Sequence, residues 1–259
     1  MTERLGEKIE RTMVSLGDSY SSGEGITPYY GQGNRIGRNH DWLAHRSEQS
    51  WPGRLELSEL GKMADHKDVQ WFFAAASGAT TRHFRGRQEK KFHKSKTGSE
   101  VRAMLPSQLN VFKKLKENNQ EVNYVTLTIG GNDARFAEIM KKAGISTYLT
   151  PFSLLNAIND VWREFFEPGG TVYKIYKAYK DVEKRAGKQA QIIVAGYPKI
   201  LSPEGSGFLF NRAEANLINN SVSKINLLMK AIVSKCQQEG MNISFVSVEE
   251  AFEGHGAYT

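Results

Sequence analysis

Cysteine is nearly absent: Cys236 is the only one in 259 residues. A single thiol excludes an intrachain disulfide and a cysteine-built zinc cluster. The amphipathic helical pattern around it assigns that thiol to packing rather than catalysis. A chain without disulfides fits a reducing or anaerobic setting, the cytoplasm included. Long hydrophobic runs are missing too. No stretch approaches a membrane span and the N-terminal residues lack a signal peptide's apolar core, so the chain as it stands is expected to be soluble, with its compartment left open. There are no Gly- or Ser-rich linkers, internal repeats or low-complexity segments, which favours one domain over residues 1–259. Excess charge is modest, 35 Lys+Arg against 28 Asp+Glu for a formal net charge of +7. That admits an anionic polymer as partner without demanding one; no nucleic acid is expected. His40, His45, His66, His83 and His93 show no ligand spacing and no neighbouring carboxylate pair. They read as surface or loop residues, and neither a metal nor another cofactor is expected. The glycines of residues 31–37 are spaced wrongly by one for a dinucleotide loop and follow no strand.

What is present is an alternation of strands and helices. Short apolar runs predict strands over residues 12–16, 68–74, 121–129, 189–195 and 241–248. Helical spacing predicts helices over 51–63, with Pro52 in the first turn, over 107–118, and over 211–239, with Leu217, Val222, Ile225, Leu228 and Ile232 on its buried side. Residues 23–53 read as an extended loop. The basic stretch 82–96 reads as a solvated loop, with a landing strip for an anionic polymer as the sharper alternative. Residues 134–187 form a helical insertion whose aromatics, Trp162 to Tyr179, are core or, as the minority reading, a cap over the site. The alternation predicts an α/β fold with a mainly parallel sheet.

The chain is organised around Gly17-Asp18-Ser19, a tight turn at the end of the first strand. Open parallel sheets place ligands at the carboxyl ends of their strands. There Ser19 fits a nucleophile, but also a helix N-cap or a phosphate ligand. Three further turns leave other strand ends: Ser77-Gly78-Ala79-Thr80, Gly130-Gly131-Asn132-Asp133, and the C-terminal Glu249-Glu250-Ala251-Phe252-Glu253-Gly254-His255. Together they supply what acyl transfer requires. A serine needs a base, and His255 can be one. The oxyanion needs fixed donors, which the backbone N–H groups of Ser19 and Gly78 and the Asn132 side-chain amide can provide. Asp18 and His45 read as braces for the serine loop.

In order and spacing these four blocks resemble those of the SGNH hydrolases, the GDSL esterases and lipases. Arg46-Ser47 with Trp51-Pro52, Gly196-Tyr197-Pro198 and Phe252-x-Gly254-His255 are similar to the branch typified by secreted actinobacterial esterases and lipases. The resemblance implies a flavodoxin-like three-layer α/β/α sandwich with a mainly parallel five-stranded sheet, metal-free ester hydrolysis and a serine acyl-enzyme. Two departures stand out. Most of the family has an Asp three residues before its histidine, where this chain has Phe252. A Ser19–His255 dyad is therefore expected, the ring oriented by a backbone carbonyl, with Glu253, Glu249 and Glu250 as fallback acids. The branch's cysteines are also missing; Ala76 occupies one such place and Gly256-Ala257-Tyr258 another. The tail stops before the Pro-Trp segment with which relatives continue, so an excised domain or shortened tail is expected. The substrate implied is a small-molecule or glycan ester carrying a short acyl or O-acetyl group, acted on by a monomer. The alternative is a module of the same fold that binds a glycan or anionic polymer without cleaving it.

Overall fold

Burial on both faces is what makes a strand central in a parallel sheet, and the first strand meets that condition. From Thr12 to Gly17 every residue is buried. The computed structural model describes residues 11–32, 40–57, 61–62, 69–93, 100–135, 151–204 and 211–252. Among them the order is β1 (Arg11–Gly17), α1 (Ser19–Ser22), α2 (His40–Leu43), α3 (Trp51–Arg54), β2 (Glu56–Leu57), β3 (Gly61–Lys62), β4 (Val69–Phe73), α4 (Arg82–Arg85), β5 (Gln88–His93) and β6 (Glu100–Leu105). There follow α5 (Asn110–Glu117), β7 (Tyr124–Thr128), α6 (Pro151–Phe166), α7 (Thr171–Ala186), β8 (Gln191–Ala195), α8 (Arg212–Gln238), β9 (Ile243–Val246) and a last 3-10 turn, Glu250–Phe252.

Five strands form one all-parallel sheet in the order β4-β1-β7-β8-β9. By chain position this is the flavodoxin-like 2-1-3-4-5 arrangement, whose switch point lies between β1 and the third strand, here β7. The core joins Val14 and Leu16 of β1 and Val125 and Leu127 of β7 to Phe112 and Leu115 of α5, Ile175, Tyr179 and Val182 of α7, and Val222, Ile225, Met229 and Ile232 of α8. Cys236 lies in this cluster with no exposed surface, and burial pushes its thiol up to about 11. No helix of the described residues is long and apolar enough to cross a membrane.

Three sequence expectations are corrected. The helix predicted over 51–63 is a single turn, α3, followed by β2 and β3, which pair antiparallel. Gly53 is a weak helix residue, and a Cβ there would come within 2.1 Å of the Glu48 carbonyl oxygen. Leu55 turns extended (φ −59°, ψ 124°) and packs beside Met13 and Trp71. The stretch 82–96, expected as a solvated loop, instead holds α4 and β5, and β5 pairs antiparallel with β6 in a separate hairpin. Part of residues 23–53 is also ordered into the short helices α2 and α3.

Where strands end, backbone polar groups lose their ladder partners and must find others. Side-chain amides fill that role here. Gln108 accepts from Gly17 N–H at 2.7 Å and donates to Gly17 O at 2.8 Å. Asn226 does the same for Tyr197, both bonds at 2.8 Å. Gly17 must be glycine: its φ is +120° and a Cβ would meet Thr128 O at 2.3 Å.

One buried carboxyl ties three strand ends together. Asp18 N–H donates to Thr128 O at the end of β7, at 2.9 Å. Its Oδ1 accepts from Tyr20 N–H at 3.1 Å, and its Oδ2 from the Tyr197 hydroxyl, beyond β8, at 2.5 Å. The same hydroxyl accepts from Gly131 N–H at 2.8 Å. Asp18 is 1% exposed. Burial pushes its carboxyl from 3.8 up to about 7, with the Tyr197 and Tyr20 bonds pulling the other way. The folded state therefore holds a proton that the unfolded chain releases. The stabilisation from that proton is present below about pH 4 and is lost as the pH rises towards about 7. Accordingly, Asp18→Asn should reduce the acid-side gain in thermal stability. The wild-type melting temperature should fall across that window as the pH rises towards about 7 while that of Asp18→Asn stays level, so that the two separate on the high-pH side; parallel curves would contradict this account of Asp18.

Candidate active site

The site is assembled from the turns that follow β1, β4 and β7. Asp18 caps α1 and leaves Ser19 as the first helical residue, half-exposed above the sheet edge. Ser21 locks the turn from below, its Oγ accepting from Thr128 N–H at 2.9 Å. After β4, Gly78 adopts φ +73° and is exposed, a conformation that a side chain would strain. Among the described residues no acceptor takes the N–H of Ser19 or of Gly78.

After β7, Asn132 donates from Nδ2 to Ala79 O at 2.9 Å, which fastens it to the Gly78 turn. An amide nitrogen carries two hydrogens, so a second remains for a ligand. Asp133 reinforces the junction, accepting from Thr81 N–H at 2.9 Å and from Thr81 Oγ1 at 2.6 Å. Burial raises its carboxyl, and the Thr81 bonds oppose the rise. The turns bearing Gly78 and Asn132 are thus bonded directly. The Ser19 turn joins them through Asp18, Tyr197 and Gly131.

His255 and Glu253 lie outside the described residues. Val248, seven positions before His255, lines the same pocket as Ser19. Of the other fallback acids, Glu249 is engaged as a brace: it accepts from Ser223 Oγ at 2.6 Å and Asn226 Nδ2 at 2.7 Å. Burial acts to raise it, but these bonds and Lys199 leave it lowered overall. Glu250 is exposed in the last 3-10 turn.

The pocket beside Ser19 holds about 420 Å³ and is lined by Tyr20, Ile26, Trp51, Pro198 and Val248, with Glu24 at its side. No described residue of α6 or α7 lines it, which speaks against the cap reading of their aromatics and leaves the core reading. Phe165 and Tyr179 are core, while Phe166 and Tyr173 are exposed. Glu24 is held as a carboxylate by His45, whose Nδ1 lies 2.6 Å away and whose ring stacks on Tyr29 at 4.7 Å. Among the described residues no group of three His, Cys, Asp or Glu side chains is placed to hold a metal.

The bonding roles of several supporting residues escaped the sequence reading, which named Arg46 only within the Arg46-Ser47 motif. Arg46 donates from Nε to Ala75 O at 2.7 Å and from Nη2 to Ala74 O at 3.1 Å, holding the chain that leads to Gly78. His83, read as a surface or loop residue, is 8% exposed within α4, and its Nδ1 accepts from Thr80 N–H at 2.9 Å. A lone histidine in a basic stretch carries no sequence signal for such a bond. By contrast, Val101, Ala103 and Leu105 recur at every second position, with Arg102 and Met104 between them, a partial period-two signal for β6.

The sequence matches the GDSL-like lipase/acylhydrolase family over residues 13–258. A lipase of Streptomyces rimosus is 25% identical over 243 residues, which cover 93% of this chain and 71% of that relative. The solved structure of the extracellular lipase from Streptomyces rimosus is similar with a TM-score of 0.66 at 24% identity, covering 95% of this chain and 83% of that one. That of phospholipase A1 from Streptomyces albidoflavus NA297 is similar with a TM-score of 0.62 at 22% identity, covering 96% and 84%. The match takes in the serine turn and every strand of the parallel sheet: the chain belongs to the GDSL-like lipase/acylhydrolase family and is a carboxylic ester hydrolase.

Proposed function

We propose that the protein hydrolyses esters of short acyl groups through an acyl-enzyme on Ser19. The observation that carries this reading is the convergence, at the switch point of the sheet, of a capped serine and two donor-bearing turns beside an apolar pocket. In the proposed reaction His255 takes the Ser19 hydroxyl proton as Oγ attacks the ester carbonyl. The carbonyl oxygen becomes an oxyanion facing Ser19 N–H, Gly78 N–H and the free Asn132 amide hydrogen. The tetrahedral species collapses, the C–O bond to the alcohol breaks, and His255 returns the proton to the departing alkoxide. Water then attacks the acyl-enzyme by the same steps and releases the acid.

Ile26, Trp51, Pro198 and Val248 offer the acyl chain an apolar wall. The Glu24 carboxylate beside Ser19 opposes an anionic acyl group. The Streptomyces rimosus relative is a lipase; the pocket of about 420 Å³ beside Ser19 supports the reading of shorter acyl chains for this protein. An O-acetyl group on a glycan fits the same chemistry.

Ser19→Ala should abolish p-nitrophenyl acetate hydrolysis with the fold retained. Asn132→Ala should lower turnover about 100- to 1000-fold, the effect of losing one oxyanion donor. A loss below about tenfold would remove Asn132 from that role. Glu253→Gln should leave turnover within about tenfold; a loss of about 100-fold or more would replace the dyad with a carboxylate triad. Across p-nitrophenyl acetate, butyrate, octanoate and palmitate, activity should peak at the short esters. Val248→Trp, which fills the pocket, should shift the preference further towards acetate, and an unchanged profile would place the acyl chain elsewhere.

A further inference from the structure

The β5–β6 hairpin reaches the peptide that bears one proposed oxyanion donor. Gln88 Nε2 donates to Ser77 O at 2.8 Å, and Lys90 Nζ donates to the same oxygen at 2.7 Å. The two residues are two apart on β5, so one strand face presents both. Their partners across the hairpin are Leu105 and Ala103. These pack with Leu43, Ala44 and Ala76, which anchors this face of the arm in the protein. Gln88 is 6% exposed and Lys90 half-buried, so the ammonium is not a solvated surface charge. Ser77 N–H is fixed as well, donating to Ala44 O at 2.9 Å.

Ser77 C=O and Gly78 N–H are two ends of one conjugated peptide group. A cation held against the oxygen draws electron density through the amide and leaves the N–H a stronger donor. We propose that Lys90 is a positioning residue for ester hydrolysis: its ammonium polarises and aims the Ser77–Gly78 peptide, so that Gly78 N–H meets the developing oxyanion as a preorganised, strengthened donor. This inference rests on the reading of Gly78 as an oxyanion donor. Burial lowers the Lys90 ammonium, Arg46 adds to the fall and Glu24 opposes it. Lys90 in turn helps keep His83 neutral, after burial and Arg82. The bond to Ser77 exists before any substrate arrives, so no reorganisation accompanies the reaction.

Polarisation acts on the oxyanion and hardly on the bound ester, so it should appear in kcat and not in KM. Lys90→Met should lower kcat for p-nitrophenyl acetate about 5- to 30-fold, less than the loss of a whole donor, with KM changed less than about twofold. Affinity for an alkyl trifluoromethyl ketone, whose serine adduct carries the same oxyanion, should fall by the same factor. Lys90→Arg should recover most of the rate, because it restores charge to the same oxygen. Should Lys90→Met not fold, Lys90→Gln compared with Lys90→Arg reads the same difference. A Lys90→Met enzyme with unaltered kcat, a loss confined to KM, or an arginine variant as slow as the methionine one would overturn the inference. Failure of the underlying site is distinguishable: Ser19→Ala would then hydrolyse the ester as the wild type does, whatever the substitution at Lys90.

Discussion

The hydrogen bond from the Tyr197 hydroxyl to the buried Asp18 carboxyl is the contact on which the rest of the site depends. Parallel strands bring distant segments to one edge, but their ends are chain termini of the ladder, with polar groups left over. Asp18 and Tyr197 join the turn after β1 to those after β7 and β8 in one buried set of bonds. Gln108 and Asn226 close the remaining backbone positions at Gly17 and Tyr197. The result is a serine turn with almost no conformational freedom. Burying a carboxyl is costly, and its raised titration is the trace of that cost.

Rigidity of this kind is what electrostatic catalysis asks for. Donors aimed before the charge develops need no rearrangement when it does. Asn132 is fixed through Ala79, Asp133 through Thr81, and the Gly78 peptide through Ser77. Each donor-bearing turn is therefore held by a side chain from another part of the chain. Among the described residues none of helices α6 and α7 lines the pocket, whose described wall comes from the segments around Tyr20, Trp51, Pro198 and Val248.

The parallel sheet was legible in the sequence because its strands are short apolar runs, several of them ending at glycine, as at Val14-Ser15-Leu16-Gly17. Ser19, Gly78 and Asn132 stood out for the same reason: each follows such a run. The helix expected after Pro52 failed because Leu55 gains more by packing beside Met13 than by continuing a helix through Gly53. The hairpin was hidden by its composition. Gln88, Glu89, Lys90 and Lys91 look solvated in sequence, and only the fold reveals that alternate members turn towards Ser77. Gln108 was equally silent, since a long-range bond to a backbone atom leaves no local pattern, and Tyr197 was visible only as part of the Gly196-Tyr197-Pro198 motif, without its bond to Asp18.

The most direct measurement is mass-spectrometric mapping of the adduct formed when the native protein reacts with a fluorophosphonate. One adduct, on Ser19, is the predicted result, and it should vanish when the protein is unfolded beforehand. Modification of a different serine, or no modification of the native chain, would contradict the central claim that this turn carries the nucleophile.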